Sequence, residues 1–450
     1  MLRYPVSDKL KDFSSVFTKN GFSIYLVGGA VRDFLLKKEN HDYDFATDAE
    51  PVEIKRIFRR TIDTGIKHGT VTVLYKGESY EVTSFRTDGS YSDMRHPENV
   101  HFVKNLSEDL MRRDFTINAL AASLPKGEII DEHDGIRDLK KKTIRAIGNP
   151  YERFQEDALR MLRACRFASK LSFDIEKETF LAMRELKDNV SAVSAERIKE
   201  EIFALILSSN PVKGLEYMRL SGLMEIILPE LYATYGVEQK GIHQDDVYHH
   251  LLKTLYAAER NGHGWKVRLA ALFHDIGKVE TRRKGSDREY TFFGHDEKSA
   301  ELYEKIATRL KTSNEEKYEV SHLIRNHMFS YDPSWTDAAV RRFIRRVGKE
   351  NINDLIDLRI DDAEAISGRI NPMLIISLIE RINDEYEKES ALSLKDLKIK
   401  GDDLIREKIL SPSPLMGKIL NTLLDEVIEN PSLNEREKLI ARARELVQEM

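Results

Sequence analysis

Two aspartates one residue apart, Asp42 and Asp44, follow closely on a glycine pair, Gly28 and Gly29. Neighbouring carboxylates repel unless a cation lies between them, and oxygen ligands of this kind, shared with a triphosphate, suit Mg2+. Glycine lets a backbone come close to a phosphate and the first amides of a helix favour anions, so Gly29 and Arg32 form a candidate triphosphate site. A second run, EDALRMLRACRFAS at residues 156–169, carries Asp157, Arg160, Arg163 and Arg166 at helical spacing, which predicts an acidic and basic face on one helix. That face is either a solvated set of salt bridges or a recognition surface. Further on, His250, the doublet His274-Asp275 and Asp362 are residue types that ligate divalent metals, with His295 and His327 as additional ligands or as histidines satisfied at helix ends.

The elements that must hold these residues change in texture near residue 150. Before it, β-rich runs (FSIYLV, YDFAT, GTVTVLY, SYEVTSF, GEIID) alternate with helical patterns such as Val52 to Phe58. The reading is a strand FSIYLV, a turn at Gly28-Gly29, a helix AVRDFLLKK, and a second strand DYDFAT on which Asp42 and Asp44 share a face. From Tyr151 onward nearly every segment is helical, with prolines at helix ends (Pro211, Pro229, Pro333, Pro372). The fold class is therefore α+β, a mixed-sheet head followed by an all-α remainder. With 450 residues the chain exceeds one ordinary core. It is 41% hydrophobic and 33% charged with a net charge of −5, so a nucleic-acid surface must be a local patch. Cys165 is the single cysteine, which excludes an internal disulfide or a multi-cysteine zinc site. No stretch approaches the roughly 18 apolar residues of a membrane span, and the N-terminus lacks signal-peptide character; a cytoplasmic protein is expected.

The order of GG, a helix with Arg, and DxD resembles the nucleotidyltransferase superfamily that includes DNA polymerase β. It resembles in particular the class II tRNA nucleotidyltransferases, the CCA-adding enzymes, and bacterial poly(A) polymerases. RRDFTINAL at residues 112–120, IIDEHDGIRDL at 129–139 and the run at 156–169 continue the likeness in order. The resemblance implies a polymerase β-like head over 1–149, a helical neck and body that binds base and RNA over 150–235, and Mg2+ on Asp42 and Asp44. It also implies Arg113 as a cationic contact to the nucleotide, with Glu81 and Asp114 as rivals for a third carboxylate. Cytosine and adenine present an amino donor beside a ring-nitrogen acceptor, and uracil and guanine reverse that order. An accepting Asp157 and a donating Arg160 would thus admit CTP and ATP and refuse the others, with Arg163 and Arg166 holding phosphate or nearby structure. The partners implied are tRNA, CTP and ATP.

FRTDGSYSDMRHPENVHFV at 85–103 and DTGIKHGTVTV at 63–73 resemble full CCA-adding enzymes, the former their flexible loop for switching from C to A. Poly(A) addition, or addition of C alone or A alone, is the runner-up. His250, His274, Asp275 and Asp362 match the ligands of the HD phosphohydrolase superfamily, implying an HD domain over 240–370 with a second divalent metal. A degenerate HD fold kept for architecture is the alternative. LKIKGDDLI and the segment from Met416 onward resemble the tail of bacterial tRNA nucleotidyltransferases, implying tRNA binding over 371–450, although Ser413-Pro414 replaces the usual Gly-Pro. Two readings from other classes are an HD hydrolase with a nucleotide-sensing head and a non-catalytic RNA-binding protein. The sequence sets no oligomeric state.

Overall fold

The computed structural model describes residues 2–40, 42–66, 69–88, 100–239, 245–284, 290–366, 371–388 and 391–449. These residues divide into two compact units, one of residues 1–233 with 309–311, the other of residues 234–308 with 312–450.

In the first unit the β-rich runs form β1 (Ile24–Val27), β2 (Asp44–Thr47), β3 (Thr61–Gly65), β4 (Thr70–Tyr75) and β5 (Glu78–Ser84). After them come a small ribbon of β6 (Arg86–Asp88) with β7 (Val100–Phe102), then β8 (Leu120–Ser123) and β9 (Ile129–Asp131). The main sheet is seven-stranded and mixed, in the order β3-β4-β5-β2-β1-β8-β9. Only β2 and β5 run parallel; the other neighbours are antiparallel. Alternation along the strands separates two cores. Phe45 points into an aromatic cluster with Phe13 and Tyr80, the latter two stacked at 4.3 Å. Ala46, on the opposite face, joins Val27, Phe85, Leu106 and Leu110. Asp44 therefore stands at the edge of the second face, because it lies two residues from Ala46.

Two expectations need correction. The helix after the glycine pair spans only Gly29–Leu35, and β2 begins at Asp44, so Asp42 precedes the strand. The run at 156–169 is also not one helix. One helix, Pro150–Glu156, ends at Asp157 in extended backbone (φ −144°, ψ 103°), and a second, Leu159–Leu171, follows. The Asp157 carboxylate accepts the Leu159 N–H at 3.1 Å, a side-chain bond to backbone that competes with helix continuation.

Among its described residues the second unit is mainly helical, with a two-residue pairing of Arg283–Lys284 with Tyr290–Thr291 and a single bridge between Glu238 and Asp246. Val247–Arg260 packs against Trp265–Phe273 and Ile352–Ala365, and the tail has its own core around Leu404, Leu423, Val427 and Ala443. Pro414 occupies the first turn of the Pro414–Glu429 helix, where its missing N–H costs nothing. The stretch expected to act as the nucleotide-switching loop lies outside the described residues from 89 to 99.

Candidate active site

In the first unit Gly28, Gly29, Asp42, Asp44, Asp157 and Arg160 line one cavity of about 640 Å³, together with a wall of arginines. Its acidic end is built by the sheet. β2 and β5 pair in register, with Asp44 directly opposite Glu81, and partners across a ladder share a face. Asp42 sits in the loop before β2, its N–H donating to Asn40 Oδ1 at 2.7 Å. This side-chain turn delays the strand, so Asp42 reaches Asp44 through a loop and not through strand alternation. Burial first, then the charge of Asp42, pushes the Asp44 carboxyl above its ordinary value; Arg113 opposes the rise and Glu81 adds to it. Such an acid cluster fits a divalent cation. Asp114 differs: its oxygens accept from Arg163 Nε at 2.8 Å, Asn118 Nδ2 at 3.0 Å and the Phe115 N–H at 2.8 Å. Burial alone would raise its carboxyl, but Arg163 and these donors hold it below the usual range.

The glycine turn is demanded by geometry. Gly28 has φ 67°, and a Cβ there would stand 3.3 Å from Arg113 Nη1. No side chain caps the helix that begins at Gly29, so its first amides are left for the cavity. Arg32 lines the cavity but is also committed to it: Nε and Nη2 donate to the two oxygens of Asp33 at 2.7 and 3.0 Å, and Nη1 to Asn118 Oδ1 at 2.7 Å. Arg113 donates to Asp109 at 3.2 Å while its buried Nε has no hydrogen-bond partner.

The segment around Asp157 lines the same cavity as the acids. Arg160 is buried, its Nη1 donating to Glu156 Oε2 at 2.7 Å and to the Arg153 carbonyl at 3.2 Å, its Nη2 to the Arg112 carbonyl at 2.9 Å. Arg163 reaches Asp114, and Arg166 donates to Glu201 at 2.5 Å with its guanidinium 4.4 Å from the Phe167 ring centroid. Asp157 Oδ2 accepts from Arg197 Nη2 at 2.7 Å.

The second unit brings its four predicted ligands together. His250 Nε2 lies 3.1 Å from Asp362 Oδ1, 3.4 Å from Asp275 Oδ2 and 3.3 Å from His274 Nε2. All four side chains are buried. His295 Nε2 stands 3.1 Å from the other oxygen of Asp275, and His327 Nε2 3.7 Å from it. Neither Asp275 Oδ1 nor His295 Nε2 makes an aligned hydrogen bond, and the ligand atoms of His250, His274 and Asp362, and likewise those of His274, Asp275 and His327, lie within 4.8 Å of one another. Lys278 donates to Asp275 Oδ2 and, at 2.7 Å, to Gln239 Oε1. Burial alone would lower His274, but Asp275 and Asp362 hold its ring up at about 10. Burial, followed by the neighbouring His274, presses His327 down to about 3.

Comparison with known proteins places this geometry. The poly(A) polymerase head domain model matches residues 24–145, the RNA- and SrmB-binding region of polymerase A residues 172–234, and tRNA nucleotidyltransferase domain 2 residues 291–443. A CCA-adding enzyme of Ligilactobacillus salivarius is 35% identical across 99% of this chain and 96% of its own length. The chain belongs to the CCA-adding enzymes. A relative in Pediococcus pentosaceus is 37% identical over 95% of this chain and 94% of its own. Among solved structures, the CCA-adding enzyme of Bacillus stearothermophilus in complex with CTP superposes with a TM-score of 0.72 at 27% identity, over 97% of this chain and 96% of that one. The Thermotoga maritima CCA-adding enzyme complexed with tRNA shares the fold, at a TM-score of 0.56 and 18% identity over 98% and 96% of the two chains.

For this CCA-adding family member, sequence reasoning missed Asn118, Arg197 and Glu201, which hold Arg32, Asp157 and Arg166. Asn118 stood inside the quoted RRDFTINAL motif. Arg197 and Glu201 lie one helical turn apart on Ala195–Ile206, a spacing that signals a shared face but not which helix that face meets.

Proposed function

We propose that the chain adds C, C and A in turn to the 3′ end of tRNA, using CTP and ATP and releasing pyrophosphate. The observation that carries this reading is the single cavity that joins Asp42 and Asp44 to Asp157 and Arg160, in a member of the CCA-adding family. We assign residues 1–149 to catalysis, 150–235 to base and RNA binding, 240–370 to an HD centre and 371–450 to tRNA binding. In the reaction the tRNA 3′-oxygen attacks the α-phosphorus in line, and the bond from that phosphorus to the β-bridging oxygen breaks. Asp42 and Asp44, with Glu81 beside Asp44, would hold Mg2+; the chemistry it supplies is a lowered hydroxyl pKa and neutralisation of the leaving group. The Gly29 amide and Arg113 orient the triphosphate, with Arg32 bracing the turn beneath it. Asp157 accepts from the amine of cytosine or adenine, and Arg160 donates to the adjacent ring nitrogen. Arg163 and Arg166 keep this segment in place through Asp114 and Glu201. With tRNA as acceptor, the cytoplasm is the compartment. The test is to offer tRNA lacking its CCA each nucleotide separately and both together and to sequence the products: CTP alone adds two C, ATP alone adds nothing, and both complete CCA. Runs of A from ATP alone would make the enzyme a poly(A) polymerase.

A second reading concerns the buried histidine and aspartate cluster. We read His250, His274, Asp275 and Asp362 as ligands of a divalent metal, with His295 and His327 at the free oxygen of Asp275. The unaligned pair Asp275 Oδ1 and His295 Nε2 favours it. The chemistry such a metal supplies is activation of water toward a phosphate ester.

A further inference from the structure

The base-reading assignment leaves a question of orientation. An ionised carboxylate is an acceptor from every direction in its plane, so Asp157 discriminates between bases only if that plane is held. Two bonds hold it. Oδ1 accepts the Leu159 N–H at 3.1 Å, a local bond from its own chain. Oδ2 accepts Arg197 Nη2 at 2.7 Å, forty residues away on the Ala195–Ile206 helix. With one oxygen tied at each end, the carboxylate cannot turn about its χ2, and each oxygen keeps a second lone pair.

Arg197 is itself placed for this task. Glu201, one turn along the same helix, receives Arg166 at 2.5 Å and Arg163 at 3.5 Å. The one helix thus grips the recognition segment twice, by a cation on its acid and by an acid on its cations. Arg197 lines the cavity, and its Nη1 is buried with no hydrogen-bond partner. A guanidinium serving only as a structural bridge would ordinarily satisfy that donor in the scaffold.

We infer that Arg197 is a specificity-determining positioning residue: it fixes the Asp157 carboxylate in the orientation that accepts from the amine of cytosine and adenine. This rests on the reading of Asp157 as a base reader. Loss of Arg197 leaves the Asp157 carboxylate held by the Leu159 N–H alone, free to turn, and the penalty against uracil and guanine falls.

The experiment measures kcat/KM for the four triphosphates with full-length protein on tRNA lacking CCA. The variants are Arg197→Ala, Arg197→Lys, Asp157→Ala and the double Asp157→Ala/Arg197→Ala. Arg197→Ala is expected to raise the UTP-to-CTP ratio of kcat/KM by about tenfold, mainly through a higher KM for CTP. Arg197→Lys, which keeps the charge but not the planar fork, moves the ratio part of the way. In the Asp157→Ala background, loss of Arg197 changes the ratio no further, because the group it positions is gone. A relaxed Asp157→Ala beside Arg197 variants whose ratio stays within about twofold of wild type overturns this inference alone. Equal loss on all four triphosphates in Asp157→Ala overturns the base-reading assignment and this inference together. If Arg197→Ala fails to fold, the Arg197→Lys ratio decides.

Discussion

The two polar clusters of this protein solve opposite problems. In the first unit the acids Asp42 and Asp44 line a cavity wall with Glu81 paired beside Asp44, and desolvation followed by the charge of Asp42 lifts Asp44 above its ordinary value. In the second unit His250, His274, Asp275 and Asp362 are buried within a helical core, and acid and base compensate one another so closely that His274 retains its proton to about 10. The open cluster waits for charge that arrives with substrate. The closed cluster carries its own neutralisation, the carboxylates of Asp275 and Asp362 lying against the His274 ring. The difference teaches that a surplus of one charge sign at a concave surface marks a site that binds transiently, while a balanced buried cluster marks one that binds a resident group.

The largest expected effect breaks the open cluster. Asp42→Ala should lower incorporation of both C and A by more than about a hundredfold, while tRNA binding stays within a few-fold, since RNA affinity comes mainly from phosphate contacts elsewhere. Extension at a tenth of the normal rate would remove Asp42 from the metal site.

The next separates the clusters. The double variant His274→Ala/Asp275→Ala should lose all metal-dependent phosphatase or phosphodiesterase activity and keep CCA addition, because the head acids belong to the other unit. Loss of addition in a variant that remains folded by circular dichroism would show that the two clusters are not independent.

A smaller effect tests recognition. Asp157→Ala removes a charged hydrogen-bond partner from a partly desolvated site, a loss of about 1.5–3 kcal/mol. CTP and ATP use should fall together and discrimination against UTP should relax by at least about tenfold. Uniform loss across the four nucleotides would return Asp157 and Arg160 to a salt-bridged face.

The smallest effect sharpens the closed cluster. The His274 ring is raised above its ordinary value of 6.5 to about 10, so at neutral pH the metal-free site holds a proton that ligation must displace. Titrating Mn2+ into the Asp42→Ala variant, in buffers of different ionisation enthalpy, should show release of about one proton per metal bound. That release should fade as pH rises through 10. Binding without proton release near neutrality would mean that the cluster is not the site.

Much of the head could be read from the chain because its signals are local. Gly28-Gly29, the runs that become β1, β2, β4 and β5, and the DxD spacing each lie within a few residues, where turn and strand chemistry decide structure directly. β8 escaped, since Leu120–Ser123 offers alanines and no β-branched residue. The single helix expected over residues 156–169 failed because hydrophobic and charged periodicity runs straight through Asp157, while a carboxylate bonded to Leu159 N–H breaks the backbone there.

The residue types, the order of the motifs and the α+β division were determined by the sequence alone, because each depends on identity and short spacing, whereas the meeting of His250, His274, Asp275 and Asp362, spread widely along the chain, was expected only from a family resemblance. The tertiary structure decided which partners each charge would have. Asp44 faces Glu81 because β2 and β5 pair in parallel, and Asp114 is taken by Arg163 from another helix. Asp157 is held by Arg197 from a third. Those pairings join residues tens of positions apart, and a charged side chain on a helix or strand carries no local mark of the partner it will meet. Only the packing of strands and helices supplies the distance and direction on which an ion pair or hydrogen bond depends.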